Sequence, residues 1–198
     1  MRSDSPAWSD PYQIVAGDVL GAVLAGGRSR RFGSDKAVAL ALDKPLISHA
    51  IDALRAIHLA VVICGCEWKP HVCLTDRAQG GQGPLAGLNS ALHHARNSGV
   101  SWVLSLPCDA PFVALGTLEQ LARSAEASFM ESQPVMGLWP SSEADQLDEW
   151  LAVEADNSMR AWANSIFALP RFRGIGVVNF YYTDELATWI SALNREES

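Results

Sequence analysis

Residues 18–37, DVLGAVLAGGRSRRFGSDKA, contain the pattern that decides the fold. Residues 18–25 form a short apolar run that stops at a pair of glycines, which is typical of a strand buried on both faces of a parallel sheet. The loop that follows has the opposite character, because residues 24–37 hold three glycines and four cations with a single acid. The stretch therefore predicts a buried strand that ends in a basic, glycine-rich loop.

The composition limits the class of protein. The chain has 198 residues, a formal net charge of -7 and 48% hydrophobic residues, which suits one globular domain with a sizeable core. The acidic balance argues against a nucleic-acid binder. We see neither a membrane-spanning run nor the apolar core of a signal peptide, and we predict a cytoplasmic protein without membrane contact. We expect residues 1–16 to be a flexible N-terminal arm and residues 17–198 to be a single domain.

Strand and helix patterns alternate along the rest of the chain. Helical spacing of apolar residues covers 44–57, 84–99, about 115–125, 143–154, 159–169 and 183–194. Strand-like runs cover 59–65, 71–76, 100–106, 127–132, 134–139 and 174–182. This alternation predicts an α/β fold of three layers, in which helices cover both faces of a mostly parallel, twisted sheet.

Three irregular segments follow predicted strands: the basic loop after residue 25, a glycine loop after residue 76, and the segment PCDAPF after residue 106. Ligands of open α/β sheets bind beyond the carboxyl ends of the strands. We therefore expect the three segments to converge and to form the functional site.

The basic loop has the chemistry of a phosphate site. Glycines let backbone N–H groups approach an anion, and four cations within nine residues repel one another unless an anion lies among them. The glycine spacing fits neither a Walker A loop nor a dinucleotide-binding fingerprint. The alternative, a solvated charged loop, is less favoured because the cations directly follow a buried strand.

The segment LAGGRSRRFGSDKA resembles the signature of small nucleotidyltransferases, and it is most similar to that of molybdenum cofactor guanylyltransferases. DRAQGGQGPLAGL, LSLPCDAPFV and QPVMGLWP resemble further segments of that family, so that the resemblance spans about residues 18–190. It implies a Rossmann-like nucleotidyltransferase fold. It also implies transfer of GMP from GTP to the phosphate of molybdopterin, with Mg²⁺ and with release of pyrophosphate.

The resemblance also implies roles for individual residues. Lys36, Asp109 and Arg31 would be catalytic, Asp109 would hold Mg²⁺, and Asn179 would contact the acceptor or a phosphate. GTP and a molybdopterin-type cofactor would be the substrates, and molybdoenzymes or cofactor-biosynthesis proteins would be partners. The residues expected to bind the nucleotide are Leu24, Ala25, Gly26, Gly27, Gly33, Lys36, Cys64, Asp76, Gly83 and Pro84.

Several positions depart from the family pattern. Cys64 and Tyr181 stand where asparagine is usual, Gln133 where histidine is usual, and Tyr182 and Thr183 where threonine and proline are usual. Three hypotheses follow: a guanylyltransferase, a related nucleotidyltransferase with another base or acceptor, such as a cytidylyl or sugar-phosphate enzyme, and a non-catalytic nucleotide-binding module. From the residues alone, Asp109 could instead cap the next helix.

We expect no metal site or catalytic role from the adjacent histidines or from the cysteine pair. We expect His94, opposite the leucine face of its helix, and His93, at the flank of that face, to be exposed to solvent. We expect the four cysteines to be reduced and mostly buried. A metal site at Cys64 and Cys66 is disfavoured because no second ligand pair follows.

Overall fold

The computed structural model describes residues 16–25, 36–77, 83–110, 112–153, 156–171 and 177–178, without the side chains of Ala16, Lys36, Val177 and Val178. The helices are α1 Leu46–Ala56, α2 Pro84–Asn97, α3 Leu115–Ala122, α4 Ala144–Val153 and α5 Met159–Ser165. The first six strands are β1 Val19–Leu24, β2 Leu40–Ala41, β3 Lys44–Pro45, β4 Ala60–Cys64, β5 Val72–Leu74 and β6 Trp102–Pro107. The remaining strands are β7 Phe112–Val113, β8 Ser128–Met130, β9 Gln133–Pro140, β10 Leu169–Arg171 and β11 Val177–Val178.

The central sheet has seven strands in the order β10-β8-β9-β6-β1-β4-β5. Strand β9 runs antiparallel to its neighbours β6 and β8, whereas the other pairings in this sheet are parallel. Strands β2 and β3 form a small hairpin, and β11 pairs with β7. The observed architecture confirms the predicted mostly parallel α/β fold.

Side-chain alternation along β1 builds the three layers. Leu20, Ala22 and Leu24 pack in a core with α2, α4 and α5 on one face of the sheet. Val19 and Val23 pack in a second core with α1 and α3 on the other face. All six residues of β1 are buried, as expected for the central strand of a sheet covered on both sides. The apolar run that forms β1 therefore lies between the two cores, at the centre of the molecule.

One predicted helix is partly wrong. Helical spacing extends over residues 159–169, but α5 ends at Ser165, and Leu169–Arg171 form the edge strand β10. Phe167 has a φ of 55°, which breaks the helix, and the Leu169 N–H then donates to the Ala127 carbonyl at 2.8 Å. Pairing with β8, which is distant in sequence, overrides the local pattern here.

The two chain ends are covered only in part. The predicted strand over 174–182 contains β11, and the predicted helix over 183–194 lies outside the described residues. The N-terminal arm, apart from the backbone of Ala16, also lies outside them, and the division into an arm and one domain stays a prediction. Among the helices of the described segments, none has the length and hydropathy needed to cross a membrane.

Candidate functional site

The carboxyl ends of four parallel strands meet at one edge of the sheet. Leu24 at the end of β1 is in register with Cys64 of β4 on one side and with Pro107 of β6 on the other. Cys64 is in turn in register with Leu74 of β5. The segments that follow these residues therefore begin side by side, at the edge where the order of elements predicts a ligand site.

Backbone hydrogen bonds continue this alignment beyond the strands. The Ala25 N–H donates to the Cys64 carbonyl at 2.8 Å, and the Cys108 N–H donates to the Leu24 carbonyl at 3.2 Å. The Gly65 N–H donates to the Leu74 carbonyl at 3.1 Å. The start of each loop is thus fixed to its neighbour by the sheet.

Helix α2 begins at the same edge. Gly83 precedes it with a φ of 72°, a conformation that favours glycine, and Pro84 occupies the first turn. Gly87 lies so close to the sheet that a Cβ there would be 3.1 Å from the Cys64 Cβ and 3.4 Å from a Leu24 methyl group. The same point is 3.8 Å from the Asp76 Oδ1 atom. The first turns of α2 therefore pack directly on the ends of β1 and β4, beside Asp76.

Asp76 is an acceptor in an unusual setting. Its Oδ1 atom is buried and has no hydrogen-bond partner within the part of the chain that the structure describes. Burial raises the pKa of this carboxyl group. A buried carboxylate oxygen without a donor costs free energy, so this atom is suited to accept a hydrogen bond from a bound ligand.

Cys64 lies beneath this surface. Its side chain is completely buried, and burial, with a smaller contribution from the Asp76 carboxylate, raises the pKa of the thiol to about 12. The thiol is therefore neutral near pH 7 and unsuited to nucleophilic or metal-binding chemistry. The Cys64 carbonyl accepts a hydrogen bond from Ala25, and its side chain packs under Gly87. The part of Cys64 in nucleotide binding stays a prediction.

Asp109 follows β6 in a turn next to the end of β1. It is partly buried, and the preceding Cys108 is buried and bonded to Leu24 through its N–H group. A carboxylate is the hard oxygen ligand that Mg²⁺ prefers. The residue type and its place at the strand edge therefore fit a metal-binding role.

Several predicted site residues cannot be placed. Lys36 begins a short 3₁₀ turn that ends at Val38, and Ala37 is buried in the core shared with α1, but the side chain of Lys36 is not described. The others, whose roles stay predictions, lie outside the described residues: Gly26, Gly27, Arg31, Gly33 and Asn179.

The prediction that His93 is exposed is wrong. His93 is buried where α4 packs on α2, and its Nε2–H donates to Asp148 at 2.8 Å. Asn89 donates to the other Asp148 oxygen at 2.6 Å, and Arg96 donates to both oxygens of Asp145 at 2.7 and 2.8 Å. The sequence does contain a signal for this cluster. Asn89, His93 and Arg96 follow one another on α2 at intervals of four and three residues and so lie on one helix face, and the acids that they meet on α4, Asp145 and Asp148, are three residues apart.

His93, Asp145 and Asp148 lie close enough to share a metal ion. However, the hydrogen bond from Arg96 lowers the pKa of Asp145, and Arg77 lies 3.5 Å from Asp148, so two cations already balance the two acids. The cluster also lies along α2 and α4 rather than on the strand ends. It therefore serves as a polar contact between the two helices, and metal binding by Asp109 stays a prediction.

Comparisons with known proteins find relatives over most of the chain. The family model described as "MobA-like NTP transferase domain" matches residues 21–169. The chain is 35% identical over 161 residues to the molybdenum cofactor guanylyltransferase of Rhizobium johnstonii, covering 75% of this chain and 76% of the relative. It is 36% identical over 157 residues to that of Sinorhizobium fredii, covering 71% and 72%.

Solved structures agree in fold. Molybdopterin-guanine dinucleotide biosynthesis protein A from Archaeoglobus fulgidus aligns with a TM-score of 0.70 at 20% identity, covering 88% of this chain and 98% of the other. The 4-diphosphocytidyl-2C-methyl-D-erythritol synthase from Anaerococcus prevotii aligns with a TM-score of 0.64 at 9% identity, covering 90% and 97%. These two likenesses concern the fold alone.

Proposed function

This chain belongs to the MobA-like NTP transferase domain family, and from that premise we propose that it transfers GMP from GTP to the phosphate of a molybdopterin-type cofactor. The reaction joins an acceptor phosphate oxygen to the α-phosphorus of GTP. It breaks the bond from that phosphorus to the oxygen that bridges to the β-phosphate, and pyrophosphate leaves. The protein must supply positioning and charge neutralisation rather than a covalent nucleophile.

The observation that supports guanine is the buried Oδ1 atom of Asp76. A carboxylate accepts hydrogen bonds only, and guanine offers N1–H and an amino group on the same edge. The amino group of cytosine lies next to an unprotonated ring nitrogen, which would repel the second carboxylate oxygen. We therefore assign Asp76 to the nucleoside, with the Gly83–Pro84 backbone beside it.

The phosphates belong, in this proposal, to the loop between β1 and α1. Its first glycine, Gly26, is two residues beyond Leu24, and its last cation, Lys36, directly precedes the buried Ala37. Asp109 would hold Mg²⁺, which when bound neutralises charge on the triphosphate. Lys36 and Arg31 would donate to phosphate oxygens and stabilise the negative charge that develops during transfer.

We also propose the surroundings in which the protein works. A GTP-consuming enzyme whose four cysteines are all free suits the reducing cytoplasm. Its product is a cofactor, so molybdoenzymes or other cofactor-biosynthesis proteins are the expected partners.

Nucleotide selectivity tests the proposal directly. With Mg²⁺ present, GTP should raise the melting temperature more than CTP, UTP or ATP at the same concentration, because only guanine offers two adjacent donors to the Asp76 carboxylate. At a GTP concentration of 100 times Kd, the added stability should be about 2.7 kcal/mol. The measurement is thermal unfolding with each nucleotide, with and without Mg²⁺. Equal or greater stabilisation by CTP would contradict guanylyl transfer and favour a cytidylyl enzyme.

Asp76→Asn should separate stability from binding. Because the pKa of Asp76 is raised by burial, the protonated form contributes stability that is fully present below its ordinary pKa and is lost as pH rises through the raised value. At pH 8 the asparagine variant should therefore melt at the same temperature as the wild type or higher, while GTP affinity falls about tenfold. Below about pH 4, where the aspartate is protonated in both states, the thermal advantage should vanish.

The measurement is thermal unfolding across this pH range together with GTP titration. Asp52→Asn, on the surface of α1 beside Lys44, is the matched control and should change neither GTP affinity nor the pH profile substantially. An Asp76→Asn variant that binds GTP as tightly as the wild type would remove Asp76 from the nucleoside site.

A further inference from the structure

Ser90 is a buried hydroxyl on α2 that contacts the chain on both sides of Asp76. Its Oγ accepts a hydrogen bond from the Arg77 N–H at 3.1 Å. The same hydroxyl can donate to the Thr75 carbonyl at 2.8 Å or to the Ala86 carbonyl at 3.2 Å. The two peptide groups that flank Asp76 are thus bonded to one side chain.

The Ser90 hydrogen bonds hold backbone groups just beyond the end of strand β5. Strand β5 stops at Leu74, so residues 75–77 lie beyond the regular ladder of strand pairing. Ser90 is 5% exposed and lies one helical turn after Gly87, which packs beside the Asp76 carboxyl group. The hydroxyl therefore connects the segment that carries Asp76 to the part of α2 that packs on the ends of β1 and β4.

A second contact supports the same segment. The Arg77 guanidinium lies 3.5 Å from the Asp148 carboxylate on α4. That carboxylate is itself held by hydrogen bonds from Asn89 and His93 of α2, so its position is set by both helices. The salt bridge is partly exposed and weak, which leaves the buried Ser90 bonds as the stronger restraint.

We propose that Ser90 is a positioning residue for nucleotide binding, which acts by holding Asp76 where its buried oxygen meets the nucleoside. This inference rests on the proposed function, since it takes Asp76 as the group that binds GTP. Ser90 itself does not touch the nucleotide in this account. Its removal should affect GTP recognition and leave the chemical step nearly unchanged.

Ser90→Ala should raise the KM for GTP about fivefold, because the Asp76 segment loses its buried hydrogen bonds. The value of kcat and the KM for the acceptor should stay within about twofold, since phosphate positioning does not depend on this residue. In an Asp76→Asn background, Ser90→Ala should cause no further loss of GTP affinity, because both changes remove the same interaction.

Ser141→Ala is the matched control. The Ser141 hydroxyl is also buried and donates to the Val100 carbonyl at 2.7 Å, next to the amino end of β6 and so at the edge of the sheet opposite the candidate site. Ser141→Ala should lower the melting temperature by about as much as Ser90→Ala does, without changing the KM for GTP. This comparison separates a positioning effect from a general loss of stability.

The outcomes distinguish the two proposals. A wild-type protein that binds no nucleoside triphosphate with Mg²⁺ would overturn the proposed function, and the role of Ser90 with it. If the wild type binds GTP, the role of Ser90 alone is overturned by either of two results. One is unchanged GTP affinity in Ser90→Ala, and the other is full additivity with Asp76→Asn.

Discussion

Asp109→Asn should lower the rate of nucleotidyl transfer by about 10³-fold while the protein stays folded. The substitution keeps the shape of the side chain but removes the charge that, in our proposal, holds Mg²⁺ next to the triphosphate. Asp109 is partly buried in a turn whose start is held by the backbone bond from Cys108 to Leu24, and thermal unfolding of the variant checks that the fold is kept. The measurement is pyrophosphate release at saturating GTP as a function of Mg²⁺ concentration.

Glu149→Gln provides the control for Asp109→Asn. Glu149 is an exposed acid on α4, and its conversion to an amide makes the same change of charge away from the strand ends. This control should keep the wild-type rate. A folded Asp109→Asn variant that retains turnover within tenfold of the wild type, at an unchanged Mg²⁺ requirement, would exclude Asp109 as the metal ligand.

Gly87→Val should reduce turnover at subsaturating GTP by about 10²-fold, the effect expected when groups of an active site move by about 1 Å. A Cβ at this position is already 3.1 Å from the Cys64 Cβ, so the two added methyl groups must push α2 away from β1 and β4. The movement would displace Asp76 and the Gly83–Pro84 backbone together. Overpacking of this kind should also cost about 1–3 kcal/mol of stability.

Gly116→Val is a close match for this change. Gly116 also lies inside a helix, α3, but a Cβ there would meet nothing within 4 Å. Gly116→Val makes the same change in backbone freedom and helix propensity as Gly87→Val, and it should leave GTP-dependent turnover unchanged. The two variants are compared by melting temperature and by kcat/KM for GTP. If Gly87→Val matches Gly116→Val in both, the close packing of α2 on the site has no functional importance.

The fold could be predicted because its signals are local. The continuous apolar run of β1, the helical spacing of α1 and α2 and their alternation with short strands require a sheet covered on both faces. The basic loop and its companion segments likewise identified the nucleotidyltransferase family, which the comparisons confirm. The edge of the sheet at which ligands bind follows from the same alternation.

The features that were missed depend on contacts between distant parts of the chain. The edge strand β10 forms because β8 offers a partner, and this cannot be read from the helical spacing that continues past Ser165. His93 is buried because Asp148, 55 residues later, accepts its hydrogen bond.

Sequence motifs indicated some residues of the candidate site and not others. Asp76, Gly83 and Pro84 lie around the first turns of α2, where the family signature places nucleotide contacts, and Asp109 follows the neighbouring strand β6. What no motif indicated is the role of Ser90, since its partners are peptide groups that carry no sequence signal. The contribution of the phosphate loop and of Asn179 stays a prediction.

The central claim is that this protein moves GMP from GTP to a molybdopterin-type cofactor. The most direct test is to incubate the wild-type protein with GTP, Mg²⁺ and the molybdenum-loaded cofactor, and to measure pyrophosphate together with the mass of the product. We predict one pyrophosphate for each cofactor that gains a GMP group, and much slower release when CTP replaces GTP. Binding of GTP without pyrophosphate release, or faster release with CTP, would contradict the account.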